Sequence, residues 1–179
     1  MSFCFKASTC GTVLNIVPTF LEPNVALGKD ASHYPSWWAA SIALDGNREC
    51  SMEDYSYSKT TYAVVDTKWW QVDLGQEHTI EALVIVPGPT GLSKDSTYID
   101  LLSGTQEVTR TIVLAESIAD CKNAIFSFRG EVARYIKIRS NKYRVSIQLR
   151  EVEVYGNLAP TVCQCCALPA LSSFPMPSD

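Results

Sequence analysis

The stretch that most constrains this chain is Trp69-Trp70-Gln71-Val72-Asp73-Leu74-Gly75. Apolar and polar residues alternate from Trp70 to Leu74, the period of a strand with one buried face, and Gly75 ends the run at a turn. An indole needs a large apolar cavity and a partner for its N–H. Two in succession therefore place one ring in a core and its neighbour on the opposite face.

After this strand the chain reads as strand, turn, strand. Thr79–Val86 is β-rich and apolar on both faces, and Thr97–Leu102, Arg110–Leu114, Ala124–Phe128 and Arg134–Arg139 alternate. Val145–Tyr155 is a long final strand, and Pro87-Gly88-Pro89, Gly91, Gly104 and Gly130 supply the turns between them. Many short strands without helical periodicity predict a β-sandwich or barrel. Before Trp69 the reading is mostly loop. Asn24–Lys29 reads as a short strand, His33–Ala40 as an aromatic loop, Asp45-Gly46-Asn47 as a tight turn, and Arg48–Thr67 as a polar, Tyr-rich loop. This divides the chain into a lead-in (1–23), a β domain (24–156) and a Cys/Pro/Ser-rich tail (157–179).

The 179 residues, 46% of them hydrophobic and 19% charged, are enough for one ordinary core. A net charge of −4 and a pI of about 5.2 leave no electrostatic footprint for nucleic acid. No apolar run is long enough to span a bilayer as a helix. The first twenty residues carry Lys6 as their one basic residue and do not read as a secretory leader. Two readings of compartment follow: an intracellular chain, or one whose leader has been removed.

Five blocks in order, Asn24-Val-Ala-Leu-Gly-Lys29, Ala43-Leu-Asp-Gly-Asn47, Trp69–Gly75, Ala133-Arg-Tyr-Ile-Lys-Ile138 and Leu149-Arg-Glu-Val-Glu-Val-Tyr-Gly156, resemble the F-type lectin (fucolectin) family of the discoidin, or coagulation-factor C-type, superfamily. The resemblance runs from Asn24 to Gly156. It implies an all-β, eight-stranded antiparallel jelly-roll sandwich, one bound calcium, a fucose site in the loops at one end, and in most members an extracellular location.

For calcium, the resemblance maps carboxylates to Asp45 and Glu151 and backbone carbonyls to Ile42, Asn47, Glu49 and Arg150. Such a mixed oxygen set is what a hard cation takes. The plainer alternative has Asp45 capping its own turn and Glu151 facing solvent.

For the sugar, the family uses a His after a Cys, an Arg-x-Asp after the second strand, and a further basic residue. Here the matching positions hold Met52, Gly88-Pro89-Thr90, and Asp95 beside Lys94. Met, Gly and Thr lack the imidazole and guanidinium donors, so the resemblance implies a lectin-like module without the fucose triad. The ligand candidates that remain are Tyr34, Trp37, Trp38, Met52, Gly88 and Lys94. Aromatic faces stack on sugar C–H patches and also dominate protein hot spots. The expected partner is therefore a glycan or glycoprotein, with a protein partner in a larger assembly as the alternative. Trp37 and Trp38 folding back to plug the barrel end is the plainer expectation.

The seven cysteines are an odd count, and Cys50 and Cys121 alone lie in the β domain. The positions matching their family partners hold Arg150 and residues near Phe128. Both are therefore expected to lack those partners, in a reducing compartment or in a set rewired through the tails. Cys163, Cys165 and Cys166 suit a soft metal, a lipid, or disulfides to Cys4 and Cys10, the last being preferred. His33 and His78 stand far apart and no hydrolase motif is present, so no enzyme is expected.

Overall fold

A computed structural model describes residues 22–51, 56–61 and 67–160. It is all-β: eight strands, β1 (Asp30–Tyr34), β2 (Ser36–Trp38), β3 (Ser58–Thr60), β4 (Lys68–Pro87), β5 (Thr97–Leu102), β6 (Val108–Val113), β7 (Ala124–Ser140) and β8 (Gln148–Leu158), with a 3-10 turn at Ala40–Leu44. All pairings are antiparallel, in the order β2-β3-β8-β4-β7-β5-β6, with β1 beside β4.

Two long strands turn this single hydrogen-bonded sheet into a sandwich. The ladder between β4 and β7 breaks after Asp73 and resumes at His78, with Gly75 in the gap, and shifts again between Ile80 and Ala82, opposite Gly130; the two glycines have φ of 87° and 86°. A positive φ costs an L side chain contact between Cβ and its own carbonyl, which glycine avoids. The first half of β4 pairs with β1 and the second half of β7, and the second half of β4 pairs with β8 and the first half of β7. Each strand thus serves both layers. The sequence signal for four separate strands, Trp69–Leu74, Thr79–Val86, Ala124–Phe128 and Arg134–Arg139, corresponds to two bent ones.

The core lies between the layers. Trp70, Val72, Leu74, Ile136, Ile138, Ile99 and Leu101 face Leu83, Ile85, Val152 and Val154, all buried. The paired indoles divide as their alternation requires. Trp70 is fully buried and donates its Nε1–H to the Ala40 carbonyl at 3.0 Å, while Trp69 lies on the outer face under the Lys137 ammonium, 4.7 Å from the ring centre.

The early segment is more structured than its sequence suggests. Residues 24–29 form a turn, tied to β8 through an Asn24–Tyr155 bridge, instead of a strand. The aromatic loop is two strands, β1 and β2, joined through a cis Tyr34–Pro35 bond. Long-range pairing to β4 and β3 decides this, and local propensity carries little of it. Glu22 and Asn157 are hydrogen bonded, so the two ends of the described chain meet. The tail cysteines lie outside the described residues. Among the described residues no helix is long and apolar enough to cross a membrane.

Candidate functional site

Because β4 and β7 bend at one end, the open loops gather at the other. The connections after β1, after Leu44, after Pro87, after Val113 and after Ser140 all emerge beside Lys68, Pro87, Thr97 and Gln148.

Arg150 organises this end. Val86 pairs with Glu151 and Pro87 with Leu149, so Arg150 is the extra residue of a bulge in β8. Its side chain is fully buried, pairs with Asp120 (Nε–Oδ1 3.2 Å), donates to the Ser51 carbonyl and to Ser56 Oγ, and sits 5.5 Å from the Tyr57 ring. One guanidinium thus holds three loop segments to β8. Beside it Cys50 and Cys121 form a disulfide, with Cα atoms 5.7 Å apart. This corrects the expectation of unpaired body cysteines or tail-linked ones. With Arg150 standing where a family partner would be, the two remaining cysteines close on each other.

The loops border an open cavity of about 440 Å³ lined by residues 89–93 and 117–120, zipped by paired hydrogen bonds between Leu92 and Ile118. Arg150, which touches Asp120 on one side and the Tyr57 ring on the other, links it to an aromatic shelf. Trp37 and Tyr34 are 57% and 53% exposed, Trp38 packs edge-on to Tyr57 (4.8 Å between centres), and the Lys59 ammonium lies 4.9 Å from the Trp38 ring. Trp37 therefore does not plug the barrel, and Trp38 is half-buried against Tyr57. His33 lies under the shelf, 3.1 Å from Ser36 Oγ and 3.4 Å from Ser58 Oγ, its pKa lowered by burial.

The other candidates are spread over this end. Gly88 sits against β8, where an added Cβ would approach Gln148 Cβ to 2.9 Å, so any side chain there collides with the strand. Lys94 and Asp95 are exposed at the tip of the loop, whose backbone is tied to Ser117 through the Lys94 N–H. Met52 lies outside the described residues. Asp120, Tyr57, Lys59 and the Arg150 side chain carry no motif. Only the bulge and the strand register bring them here.

The turn at Asp45 is built as an anion pair. Asp45 Oδ1 accepts from the Asn47 N–H (2.8 Å), as turn capping requires, and Glu151 Oε2 accepts from the Gly46 N–H (3.2 Å). Glu151 is fully buried rather than solvent-facing, and its Oε1 has no partner among the described residues. Burial first, then the charges of Asp45 and Glu153, push its pKa up to about 8. Glu153 is neutralised by Arg48 and accepts from Tyr155 Oη. Among the described residues no three His, Cys, Asp or Glu side chains form a metal-holding group. Two converging carboxylates, one with an orphaned buried oxygen, next to the carbonyls of a turn nevertheless suit a hard divalent cation, which takes backbone oxygens as readily as carboxylates.

A jelly roll with recognition loops at one end is the architecture of discoidin-type binding domains. The chain belongs to the F5/8 type C domain family, which matches residues 28–152. Among solved structures it is similar to the lectin domain of lectinolysin complexed with Lewis B antigen (26% identity, TM-score 0.63, covering 74% of this chain and 96% of that one). It also shares its fold with a fucolectin from striped bass (Morone saxatilis) serum (23%, TM-score 0.64, 77% and 48%) and with the family 32 module of C. perfringens NanJ in complex with galactose (19%, TM-score 0.54, 70% and 92%). No curated protein matches the chain in sequence.

Proposed function

We propose that this chain is a non-catalytic carbohydrate-binding module that reads a glycan at its loop end, through the cavity beside Asp120 and the Trp37/Tyr34 shelf. The exposed indole of Trp37, at the same end of the sandwich as a loop-lined cavity, carries the reading. A flat ring stacks on the C–H face of a pyranose, while hydroxyls and backbone groups of the cavity take its oxygens. The His/Arg/Arg donor set of fucose-binding relatives has no counterpart in Gly88, Asp95 and Lys94, so a different donor arrangement is proposed.

Calcium is proposed as a structural ion at Asp45 and Glu151, with the carbonyls of Ile42, Asn47, Glu49 and Arg150 completing its shell. Bound there it neutralises the buried carboxylate. The chain's own residues hold the turn against β8 through the Gly46 N–H. The Cys50–Cys121 disulfide supports an oxidising, extracellular setting.

A glycan array probed with the folded chain, with calcium and with chelator, tests the reading. Binding to a coherent set of sugars that Trp37→Ala abolishes supports it. A blank array from folded protein would move the function to protein docking on the same shelf.

A further inference from the structure

A second cavity, about 260 Å³, lies on the other side of the 90–93 segment, between it and the loop 140–147. Thr90, Ser93, Ser96, Thr97, Ser140 and Ser146 put six hydroxyls in its wall, with Leu92, Val145 and Ile147 as the apolar part. Lys142 is the one charged residue among the described lining residues, and no carboxylate pairs with it there.

The hydrogen bonding of this wall is lopsided. Ser93 Oγ accepts from the Asp95 N–H (3.4 Å), Ser140 Oγ from the Lys142 N–H (3.3 Å), and Ser146 Oγ from Gln148 Nε2 (2.9 Å). Among the described residues these three hydroxyls donate to nothing, whereas Thr90 Oγ1 donates to the Ser146 carbonyl (3.4 Å). Ser96, 4% exposed, has neither a donor nor an acceptor partner for its hydroxyl among the described residues. A buried hydroxyl without a partner is costly, and three serine hydroxyls free to donate beside one cation suit a guest rich in acceptors. The volume, several times that of a water, suits one sugar ring.

We propose that this second cavity is a saccharide subsite for an acidic sugar residue. Its carboxylate is taken by Ser93, Ser140 and the Lys142 ammonium, and its ring lies against Val145 and Ile147. Hydrogen bonds to a carboxylate are the stronger class, and a neutral hexose lacks that acceptor. The site stands on its own lining and does not need the first cavity to be occupied.

The test is amide NMR of the full chain titrated with sodium glucuronate and, separately, glucose. Glucuronate should shift amides of 93–97 and 140–147 saturably and glucose should not. Lys142→Gln, at an exposed position, should weaken glucuronate about fivefold or more, in the range of a partly exposed charge contact. Ser93→Ala should weaken it as well, because it removes a hydroxyl that donates to the carboxylate. Equal responses to the two sugars, shifts confined to 117–120, an unchanged response in Lys142→Gln, or no response from folded protein would each overturn the proposal. In the last case buried water alone satisfies Ser96.

Discussion

Arg150 and Asp120 are joined across the loop end by an ion pair whose arginine is wholly buried and whose aspartate is 30% exposed. The arginine comes from a strand bulge and the aspartate from a loop that lines the larger cavity. The pair therefore connects the rigid sandwich to the surface proposed to bind. Arg150→Met should cost about 2–4 kcal/mol, because it leaves Asp120 and the Ser51 carbonyl without their donor. Chemical denaturation measures this. A loss within about 0.5 kcal/mol would show that the loops are held by other contacts.

Cys50 and Cys121 close a separation of 71 residues. Replacing both by Ser, or reducing the protein, is predicted to lower stability by about 2–4 kcal/mol. Calorimetry with and without reductant checks it, and identical melts would mean that the bond does not form in solution.

The buried Glu151 makes a pH prediction whose sign is fixed. Its folded pKa of about 8 lies above the ordinary 4.5, so the folded state holds its proton more tightly than the unfolded chain does. The stability this contributes is complete below about pH 4.5 and is lost as pH rises through about 8. In chelator, therefore, stability should fall across that window, and Glu151→Gln should flatten the fall. With calcium bound to the ionised carboxylate the fall should shrink, and wild type and Asp45→Ala should differ in their response to calcium. Superimposable melting curves for the two would remove the calcium proposal.

Trp37 is exposed and no part of the core, so Trp37→Ala should change stability by less than about 0.5 kcal/mol. Glycan affinity should drop about tenfold or more, the scale of a lost aromatic anchor. Trp70→Ala should do the opposite: about 3–5 kcal/mol of stability lost from a filled core and the Ala40 carbonyl left without its donor. Fluorescence-monitored unfolding beside a sugar titration separates the two indoles.

The sequence by itself determined the class of fold, the division of the two indoles and the strand content after Trp69. These are consequences of a period-2 pattern, which any buried strand must show. The span of β5 reads directly from its alternation. The five ordered blocks carried the jelly roll, and the Asp45–Asn47 turn was legible because Gly46, at φ 82°, is a position only such a residue fills cheaply.

What the tertiary structure alone decided lies in register and bulges. One extra residue in β8 sends the Arg150 side chain to Asp120, and no local pattern marks it. Pairing across 71 residues joins Cys50 to Cys121, and β1 and β2 exist because β4 and β3 lie alongside them. Each of these depends on contacts between segments far apart in the chain, and a local window of sequence does not contain their free energy.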